Sequence, residues 1–229
     1  EGNQLQKLTA PNANRMSVSL DQIPEDLQHA VVAIEDSRFY EHNGIDFQGI
    51  LRAAAVGIGN GFNFTEGAST ITQQLLKNNV FTDWTKENTL LERLRRKFQE
   101  QYLAVQLEAK LQNKDIILEN YLNTINLGAG SYGVQAAAKT YFNKDVWDLT
   151  LSEVTVIAGI TQNPSRFNPI RHPDYNAERR QKVLNDMVEQ KYITQEQADE
   201  CLADDVYARV AAAAQSQAEE STVYSYFVD

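Results

Sequence analysis

The chain has 229 residues, of which 42% are hydrophobic and 23% are charged, and it contains one cysteine, Cys201. This composition is typical of a globular protein and is sufficient for one large domain. A single cysteine excludes an internal disulfide and a zinc site built on several cysteines. The net charge of −10 argues against nucleic-acid binding, because nucleic-acid-binding proteins usually present a basic surface.

The first strong pattern is an apolar run that leads into EDSRFYEHNGID, residues 35–46. A proline followed by two acids opens this run, so we expect a helix over about 24–40 that carries Glu35 near its end. If the helix continued to His42, the side chains of Glu35 and His42 would lie on the same face of it. A carboxylate in this setting is a candidate general base or acid. The simpler interpretation is a helix end at which Glu35 pairs with Arg38.

An alanine-rich apolar segment, residues 47–56, is followed by a glycine-rich segment that contains Phe62 and Phe64. Glycines at alternate positions are typical of a flexible loop, and exposed rings in a loop need an apolar partner. One interpretation is a surface that enters a bilayer or holds a lipid tail. The other is a core helix followed by a loop, and the residues alone leave both open.

The sequence GASTITQQLLKN, residues 67–78, has the pattern of a turn followed by a helix. Thr70 with Gln73 three positions later is a capping-box pattern. On such a helix Gln74 and Lys77 lie on the same face as these two residues. A polar face with a lysine beside a helix N-terminus indicates an anion or sugar site, and a solvated surface is the alternative.

A long helix is predicted from about Thr85 to Gln112. We expect its apolar side chains to form the buried face: Leu90, Leu91, Leu94, Phe98 and Leu107. A second face combines three cations with one acid: Arg93, Arg96, Lys97 and Glu100. Pairing of Arg96 with Glu100 would contribute only about 0.2–0.5 kcal/mol and does not explain why the cations collect here. A multiply charged phosphate held beside an acid would explain it.

The remaining chain continues in helical patterns, two of which open with capping boxes at Thr150 and Thr194. No run of alternating strands occurs between residues 24 and 205, so we predict a mainly α fold of eight to ten helices. The last residues, 223–229, have strand character. No stretch reaches the about 18 apolar residues of a spanning helix. The sequence also lacks the GxSxG and HExxH motifs, which argues against serine and zinc hydrolases.

Two carboxylates on different helices, Glu35 and Glu100, suggest glycosidic chemistry. Hydrolysis does not need the cations, whereas transfer from a sugar with a diphosphate leaving group does. In such a transfer Glu35 deprotonates an acceptor hydroxyl, and the charge that builds on the diphosphate is offset by Lys77, Arg96 and Lys97. Glu100 either holds a cation in place or binds a divalent metal, Mg²⁺ or Mn²⁺. The sequence does not establish a requirement for a cofactor.

Several long motifs carry a family resemblance. EDSRFYEHNGID, GASTITQQLLKN, RKFQE, KDIILENYLN and INLGAGSYGVQAAAKTYF occur in this order, followed by IAGITQNPSRFNP and ERRQKVLNDM. Over about residues 18–200 the chain resembles the peptidoglycan glycosyltransferase (transglycosylase) domain of bacterial class A penicillin-binding proteins, glycosyltransferase family 51.

The resemblance implies a lysozyme-like helical fold with a large lobe and a smaller membrane-facing lobe. It implies polymerisation of lipid II into glycan strands by inverting transfer, with release of the undecaprenyl diphosphate carrier. The location implied is the extracytoplasmic face of the bacterial cytoplasmic membrane. The implied partners are lipid II, the growing glycan strand, the membrane surface through about 50–64, and the cell-wall synthesis machinery. The antibiotic moenomycin would compete for the same cleft.

The resemblance also assigns site residues. The catalytic glutamates fall on Glu35 and Glu100, with Glu35 as the base that activates the acceptor 4-hydroxyl. Positions that contact substrate or diphosphate fall on Ser69, Thr70, Gln74, Lys77, Asn78, Arg96 and Lys97. We further expect Asp36, Phe39 and His42 to support the site, with His42 shaping the helix end and not taking the proton. One departure is Asn126, where the family commonly has an aromatic residue.

Three segments follow from the resemblance. Residues 1–20 would be an arm after a transmembrane anchor, 21–205 the glycosyltransferase domain, and 206–229 a linker toward a transpeptidase domain. The chain would thus be a fragment of a membrane-anchored protein. The alternative functions are a lysozyme-like enzyme that cleaves peptidoglycan and a non-enzymatic helical module that docks on membranes.

Overall fold

The structure is a computed structural model that describes residues 16–59, 69–81 and 89–225, with the side chains of 56–59, 90 and 220–225 outside the described part. These ranges contain ten α-helices and no strand, so the predicted mainly α fold is confirmed. The helices are α1 (Glu25–Glu35), α2 (Phe47–Gly59), α3 (Ile71–Asn79), α4 (Leu90–Leu111), α5 (Lys114–Thr124), α6 (Val134–Phe142), α7 (Leu151–Ile160), α8 (Pro173–Glu189), α9 (Gln195–Ala203) and α10 (Val206–Ser225). Within the described ranges, no helix is both long enough and apolar enough to cross a membrane.

Helix α7 lies at the centre of the core. Residues 152–160 are all buried, as expected for a helix that is apolar on every side. The capping box predicted at Thr150 and Glu153 is present. Helix α1 packs its apolar face against α7 and α8. Because α1 is fixed on two sides, the position of Glu35 at its last turn is fixed as well.

Helix α1 ends at Glu35, five residues before the predicted end, so the expected face shared with His42 does not form. Asp36 leaves the helix with φ −158° and ψ 72°. Its carboxylate accepts a hydrogen bond of 2.9 Å from the backbone N–H of Ile71, the first residue of α3. The predicted pairing of Glu35 with Arg38 is also wrong, because Arg38 binds Asp46 at 2.6 Å.

The turn after α1 is held against α4 at Gly44. Its φ of +88° favours glycine, and a Cβ at this position would lie 2.7 Å from the backbone of Ala104. The Gly44 carbonyl accepts two hydrogen bonds, from Thr70 Oγ1 at 2.9 Å and from Gln73 Nε2 at 3.0 Å. One glycine therefore ties α1, α3 and α4 together.

Helix α3 begins as predicted, with the Thr70 hydroxyl accepting from the Gln73 backbone N–H at 3.2 Å. The side chain of Gln73 does not complete the capping box, because it donates to Gly44 instead. Thr70 and Gln73 are each about 1% exposed, so the alternative of a solvated polar face is wrong.

Helix α4 contradicts the prediction for its buried face. Leu91 is 76% exposed and Phe98 69% exposed, and Leu94 is also exposed. The buried positions are polar or small: Glu100, Ala104 and Glu108. The predicted start at Thr85 and the side chain of Leu90 lie outside the described residues. The apolar periodicity thus identified the helix correctly but assigned the wrong face to the interior.

The segment predicted as a linker begins with helix α10. The side chains of Val206 and Val210 are in the core, and α10 packs against α6. The expected strand at 223–229 is wrong for residues 223–225, which are helical. Residues 226–229 lie outside the described part. The packing of Val206 and Val210 shows that the helical core extends past residue 205.

Candidate active site

The Glu35 carboxylate lies at the C-terminal end of α1 and is only 9% exposed. Gln74 Nε2 on α3 donates to its Oε2 at 2.7 Å, and the Thr161 hydroxyl donates to its Oε1 at 2.5 Å. The guanidinium of Arg179 on α8 lies 3.8 Å from Oε1. The carboxylate is therefore held by two neutral donors, with one cation slightly farther away.

The Gln74 amide is oriented by Tyr121 on α5, whose hydroxyl donates to Gln74 Oε1 at 2.9 Å. The amide NH₂ then faces the Glu35 carboxylate, since the reverse orientation would place two oxygens against each other. Burial raises the pKa of Tyr121 well above its ordinary value, and the charges of Glu35 and Asp36 raise it further. Tyr121 thus remains a hydrogen-bond donor throughout the physiological pH range.

Arg179 places a largely buried positive charge beside Glu35. Burial lowers the pKa of the Arg179 guanidinium, and the negative charge of Glu35 opposes that effect. An arginine remains charged even when its pKa is lowered moderately. The Arg179 guanidinium therefore places a positive charge beside the candidate base.

Asp36 and His42 fix the turn that follows Glu35. The His42 Nε2 lies 3.0 Å from both carboxylate oxygens of Asp36. The Gly44 N–H donates to Nδ1 at 3.2 Å, so the ring proton is assigned to Nε2. Phe39 is fully buried in the core, and its ring meets that of His42 in a T-shaped arrangement. These supporting positions shape the backbone around the candidate base.

The second carboxylate, Glu100, lies on the inner face of α4 and is 1% exposed. Its Oε1 pairs with Arg96, and its Oε2 lies 3.6 Å from Lys97 Nζ. Lys97 also donates to Ser69 Oγ at 2.7 Å and to Gln73 Oε1 at 2.9 Å. Burial lowers the pKa of Lys97, and although Glu100 opposes this effect, the charges of neighbouring cations add to it.

The surroundings of Glu100 fit the holding of cations better than the binding of a metal. Both carboxylate oxygens face a cation. Among the described residues, no group of three or more histidine, cysteine, aspartate or glutamate side chains is arranged to hold a metal ion. A Mg²⁺ ion can bind through only one or two carboxylates together with substrate phosphates, but each oxygen of Glu100 already faces a cation. No step of the chemistry is therefore assigned to a metal at this position.

Helix α3 joins the two carboxylates into one site. Gln74 contacts Glu35, and Gln73, the preceding residue, contacts Lys97, which in turn faces Glu100. The first turn of α3 therefore lies between the candidate base and the cations. A sugar hydroxyl near Glu35 and a phosphate near Lys97 would occupy adjacent parts of this site.

The other predicted substrate positions lie on the same helix or at its start. Ser69 contacts Lys97 directly, whereas Thr70 binds the Gly44 carbonyl and is buried. Lys77 lies one turn farther along α3 and is partly exposed, and Asn78 is exposed. Asn126, the departure from the family pattern, forms an isolated bridge with Tyr132.

Three residues at this site were missed by the sequence reasoning: Tyr121, Thr161 and Arg179. All three lie within motifs that carry the resemblance, KDIILENYLN, IAGITQNPSRFNP and ERRQKVLNDM, so the resemblance contained a signal for them. Thr161 and Glu35 are 126 positions apart in the chain. No local pattern could have indicated this contact, because it depends on how α1 packs against α7.

Comparison with known proteins identifies the family. A family model described as Transglycosylase matches residues 1–188. The chain belongs to the transglycosylase family. Penicillin-binding protein 1A of Escherichia coli (strain K12) is 50% identical over 186 residues, covering 81% of this chain and 21% of the relative. Penicillin-binding protein 1F of Bacillus subtilis (strain 168) is 47% identical over 185 residues, covering 81% of this chain and 25% of the relative.

A solved structure gives the same result. The 2.6 Å crystal structure of penicillin-binding protein 1A from Haemophilus influenzae is similar to this chain with a TM-score of 0.50 and 30% sequence identity. The similarity covers 84% of this chain and 18% of that one. The chain thus spans about a fifth to a quarter of the length of its curated relatives.

The predicted identity, a peptidoglycan glycosyltransferase domain of the kind found in penicillin-binding proteins, is confirmed by these comparisons. The predicted enzyme class, glycosyl transfer in peptidoglycan synthesis, is confirmed with it. This class is favoured over both the lytic enzyme and the non-enzymatic docking module.

Proposed function

We propose that this chain polymerises lipid II into glycan strands, with Glu35 as the general base. One observation carries the proposal: the first turn of α3 joins a carboxylate held by neutral donors to a cluster of cations. A base and a cation cluster at adjacent positions suit transfer of a sugar from a diphosphate carrier to a hydroxyl acceptor.

The proposed reaction balances without a further reactant. The 4-hydroxyl oxygen of the acceptor sugar forms a bond to the anomeric carbon of the donor, and its proton passes to Glu35. The bond between that carbon and the diphosphate oxygen breaks, so the undecaprenyl diphosphate leaves with the electron pair. Attack from the face opposite the leaving group inverts the anomeric carbon. A diphosphate leaves as an anion, so its departure needs charge stabilisation more than a proton.

The cation cluster supplies that charge stabilisation. Lys97 is already held by Ser69 and Gln73, so its ammonium is oriented before substrate arrives. Glu100 keeps Arg96 and Lys97 close together despite their mutual repulsion. In this proposal both cations contact the diphosphate, and Glu100 acts through them. Ser69, Thr70, Gln74, Lys77 and Asn78 remain the further predicted positions of substrate contact or support.

A lipid-linked donor requires the site to work at a membrane surface, and we place this chain at the extracytoplasmic face of the cytoplasmic membrane. Phe47 and Leu51 on α2 and Phe98 on α4 are exposed apolar side chains that support membrane contact. Residues 60–64 of the predicted contact segment lie outside the described part. Moenomycin is expected to compete with lipid II for the cleft. A membrane anchor, a transpeptidase domain and partners in cell-wall synthesis remain predictions for the parent protein.

Substitution of the base tests the proposal. Glu35→Gln keeps the shape of the side chain but cannot accept the acceptor's proton, so glycan formation from lipid II should fall by about 10²–10⁴-fold. The products are separated by gel electrophoresis, and thermal unfolding verifies that the variant folds. Glu41→Gln, at a nearby exposed acid, is the matched control and should retain activity. Near-normal polymerisation by Glu35→Gln would remove Glu35 from the role of base.

A further inference from the structure

Thr161 is the first residue after α7, and its buried hydroxyl has two acceptors within reach. Oγ1 lies 2.5 Å from Glu35 Oε1 and 2.9 Å from the backbone carbonyl oxygen of Ala158. A threonine hydroxyl has one proton to donate and two lone pairs with which to accept. It can therefore donate to only one of these two oxygens at a time.

The protonation state of Glu35 decides which oxygen receives the proton. When Glu35 is ionised, both of its oxygens are acceptors, so the Thr161 hydroxyl must donate to Oε1. The distance of 2.5 Å lies in the range of charge-assisted O–H···O⁻ bonds. When Oε1 of Glu35 carries a proton, it can donate to Thr161 Oγ1, and the hydroxyl of Thr161 turns to donate to Ala158.

The other donor to Glu35 cannot change its role in this way. Gln74 presents its NH₂ to Oε2, and its carbonyl oxygen already accepts from Tyr121. Arg179, the cation facing Glu35 from α8, can only donate. The Thr161 hydroxyl, in contrast, can hydrogen bond to Glu35 whether Glu35 is ionised or protonated.

Burial makes this property consequential. The Glu35 side chain is 9% exposed and Thr161 is 7% exposed. Water therefore has little access to replace a hydrogen bond lost when the proton is gained. An unsatisfied buried polar group is costly, and without the Thr161 hydroxyl Glu35 would lose a hydrogen-bond partner in both protonation states.

We propose that Thr161 is a positioning residue that hydrogen bonds Glu35 in both of its protonation states, by donating to the carboxylate and accepting from the carboxylic acid. This inference rests on the proposed role of Glu35 as the base. The acceptor's proton moves only to Glu35. The hydroxyl of Thr161 rotates between Glu35 and Ala158 and exchanges no proton.

A pair of variants separates the hydroxyl from the shape of the side chain. Thr161→Val keeps the shape and removes the hydroxyl, whereas Thr161→Ser keeps the hydroxyl. With lipid II as substrate, Thr161→Val should lower kcat by about tenfold, as expected for loss of a hydrogen bond to a charged group, while KM changes less than about twofold. The acidic limb of its pH profile should move to higher pH, because the lost bond is strongest to the ionised form. Thr161→Ser should keep kcat and the pH profile near normal.

Carbon-13 NMR gives a readout that does not depend on catalysis. With carboxyl-labelled glutamate in the intact chain, the Glu35 resonance is assigned by its absence in Glu35→Gln. Its titration midpoint should rise in Thr161→Val and stay in place in Thr161→Ser. The charged and titratable groups around Glu35, namely Arg179 on α8, Tyr121 on α5 and the adjacent Asp36, are the same in all three proteins. If Thr161→Val does not fold, Thr161→Ala takes its place.

The outcomes distinguish this inference from the proposed function. An unmoved NMR midpoint in the variant that lacks the hydroxyl overturns the role of Thr161, whatever the activity. Equal impairment of the Val and Ser variants also overturns it, because Ser keeps the hydroxyl and loss of the hydroxyl would then not explain the defect. Polymerisation that survives in Glu35→Gln instead removes Glu35 from the role of base. In that case, a Glu35 titration midpoint that still rises in Thr161→Val would support the hydrogen bond between the two residues but not its part in catalysis.

Discussion

Helices α1 and α4 each carry one carboxylate to the active site, but they bury opposite kinds of side chain. Helix α1 buries an apolar face and ends in Glu35. Helix α4 turns Glu100 and Glu108 inward and leaves Leu91 and Phe98 exposed. The burial of apolar surface thus fixes α1, whereas the inner face of α4 is held by ion pairs and hydrogen bonds.

The difference suits the two roles. A base should be rigidly oriented and free of strong counter-ions, and Glu35 has two neutral donors with a cation at 3.8 Å. A carboxylate that positions cations for phosphate binding should contact those cations directly, as Glu100 does with Arg96 and Lys97. The exposed apolar side chains on the outer face of α4 support the membrane contact proposed above.

Among changes to α4, removal of the central cation should have the largest effect. Lys97→Ala deletes the ammonium that links Ser69 and Gln73 to Glu100 and that we place against the diphosphate. A hydrogen bond to a charged group contributes about 1.5–3 kcal/mol, so kcat/KM for lipid II should fall by about 10–100-fold. Steady-state kinetics measures this loss. The control is Lys110→Ala, an exposed lysine at the other end of α4.

Lys97→Arg sharpens the same test. The variant keeps the charge, so it should recover part of the activity if charge stabilisation is the main contribution of Lys97. A full loss in Lys97→Arg would instead indicate that the compact ammonium and its bonds to Ser69 and Gln73 are essential. Unchanged kinetics in Lys97→Ala would contradict the assignment of the diphosphate to this part of the site.

A smaller effect is expected for Glu100→Gln. Loss of the carboxylate leaves Arg96 and Lys97 to repel each other. It also removes two ion pairs, in both of which Glu100 is the more buried partner. Both cations retain access to water, so the free energy of unfolding should fall by only about 1–2 kcal/mol. Use of lipid II should decline by about tenfold, mainly through KM, because Glu100 acts by placing the cations.

Thermal unfolding and steady-state kinetics on one preparation measure both effects of Glu100→Gln. Glu100→Asp is the matched control, since it keeps the negative charge but shortens the side chain by one methylene and so moves the carboxylate away from the cations. The Asp variant should be the more stable of the two. A Glu100→Gln enzyme that loses all kcat with unchanged KM would mean that Glu100 takes part in the chemical step, and the contrast drawn between α1 and α4 would fail.

Local signals in the sequence predicted the local structure well. The capping boxes at Thr150 and Thr194 are present, and the absence of strand patterns indicated a mainly α fold. Such features depend on residues a few positions apart. The apolar periodicity of α4 also gave the helix, because spacing is a property of the helix itself.

Long-range contacts explain what the sequence did not predict. Where α1 ends, the Asp36 carboxylate accepts a hydrogen bond from the backbone N–H of Ile71 at the start of α3. No residue close to Asp36 in the sequence indicates this contact. The inward face of α4 was misassigned because an apolar face was assumed to be a buried one. A polar face can be the inner one when its charges are paired, as they are at Glu100. The contact of Thr161 with Glu35 likewise arises only when α1 and α7 pack.

The smallest effect is expected on the outer face of α4. Phe98→Ser removes an apolar ring that is 69% exposed, so it should leave folding and the inner contacts of α4 intact. If this face contacts the membrane, partial burial of a phenylalanine contributes about 1 kcal/mol, and binding to phospholipid vesicles should weaken by about fivefold. Co-sedimentation with vesicles of phosphatidylglycerol and phosphatidylethanolamine measures it. Leu202→Ser, at an exposed leucine of α9, should bind as the unmodified chain does. Equal binding by both variants would mean that the apolar face of α4 meets something other than the bilayer, and that the inverted polarity of this helix needs another explanation.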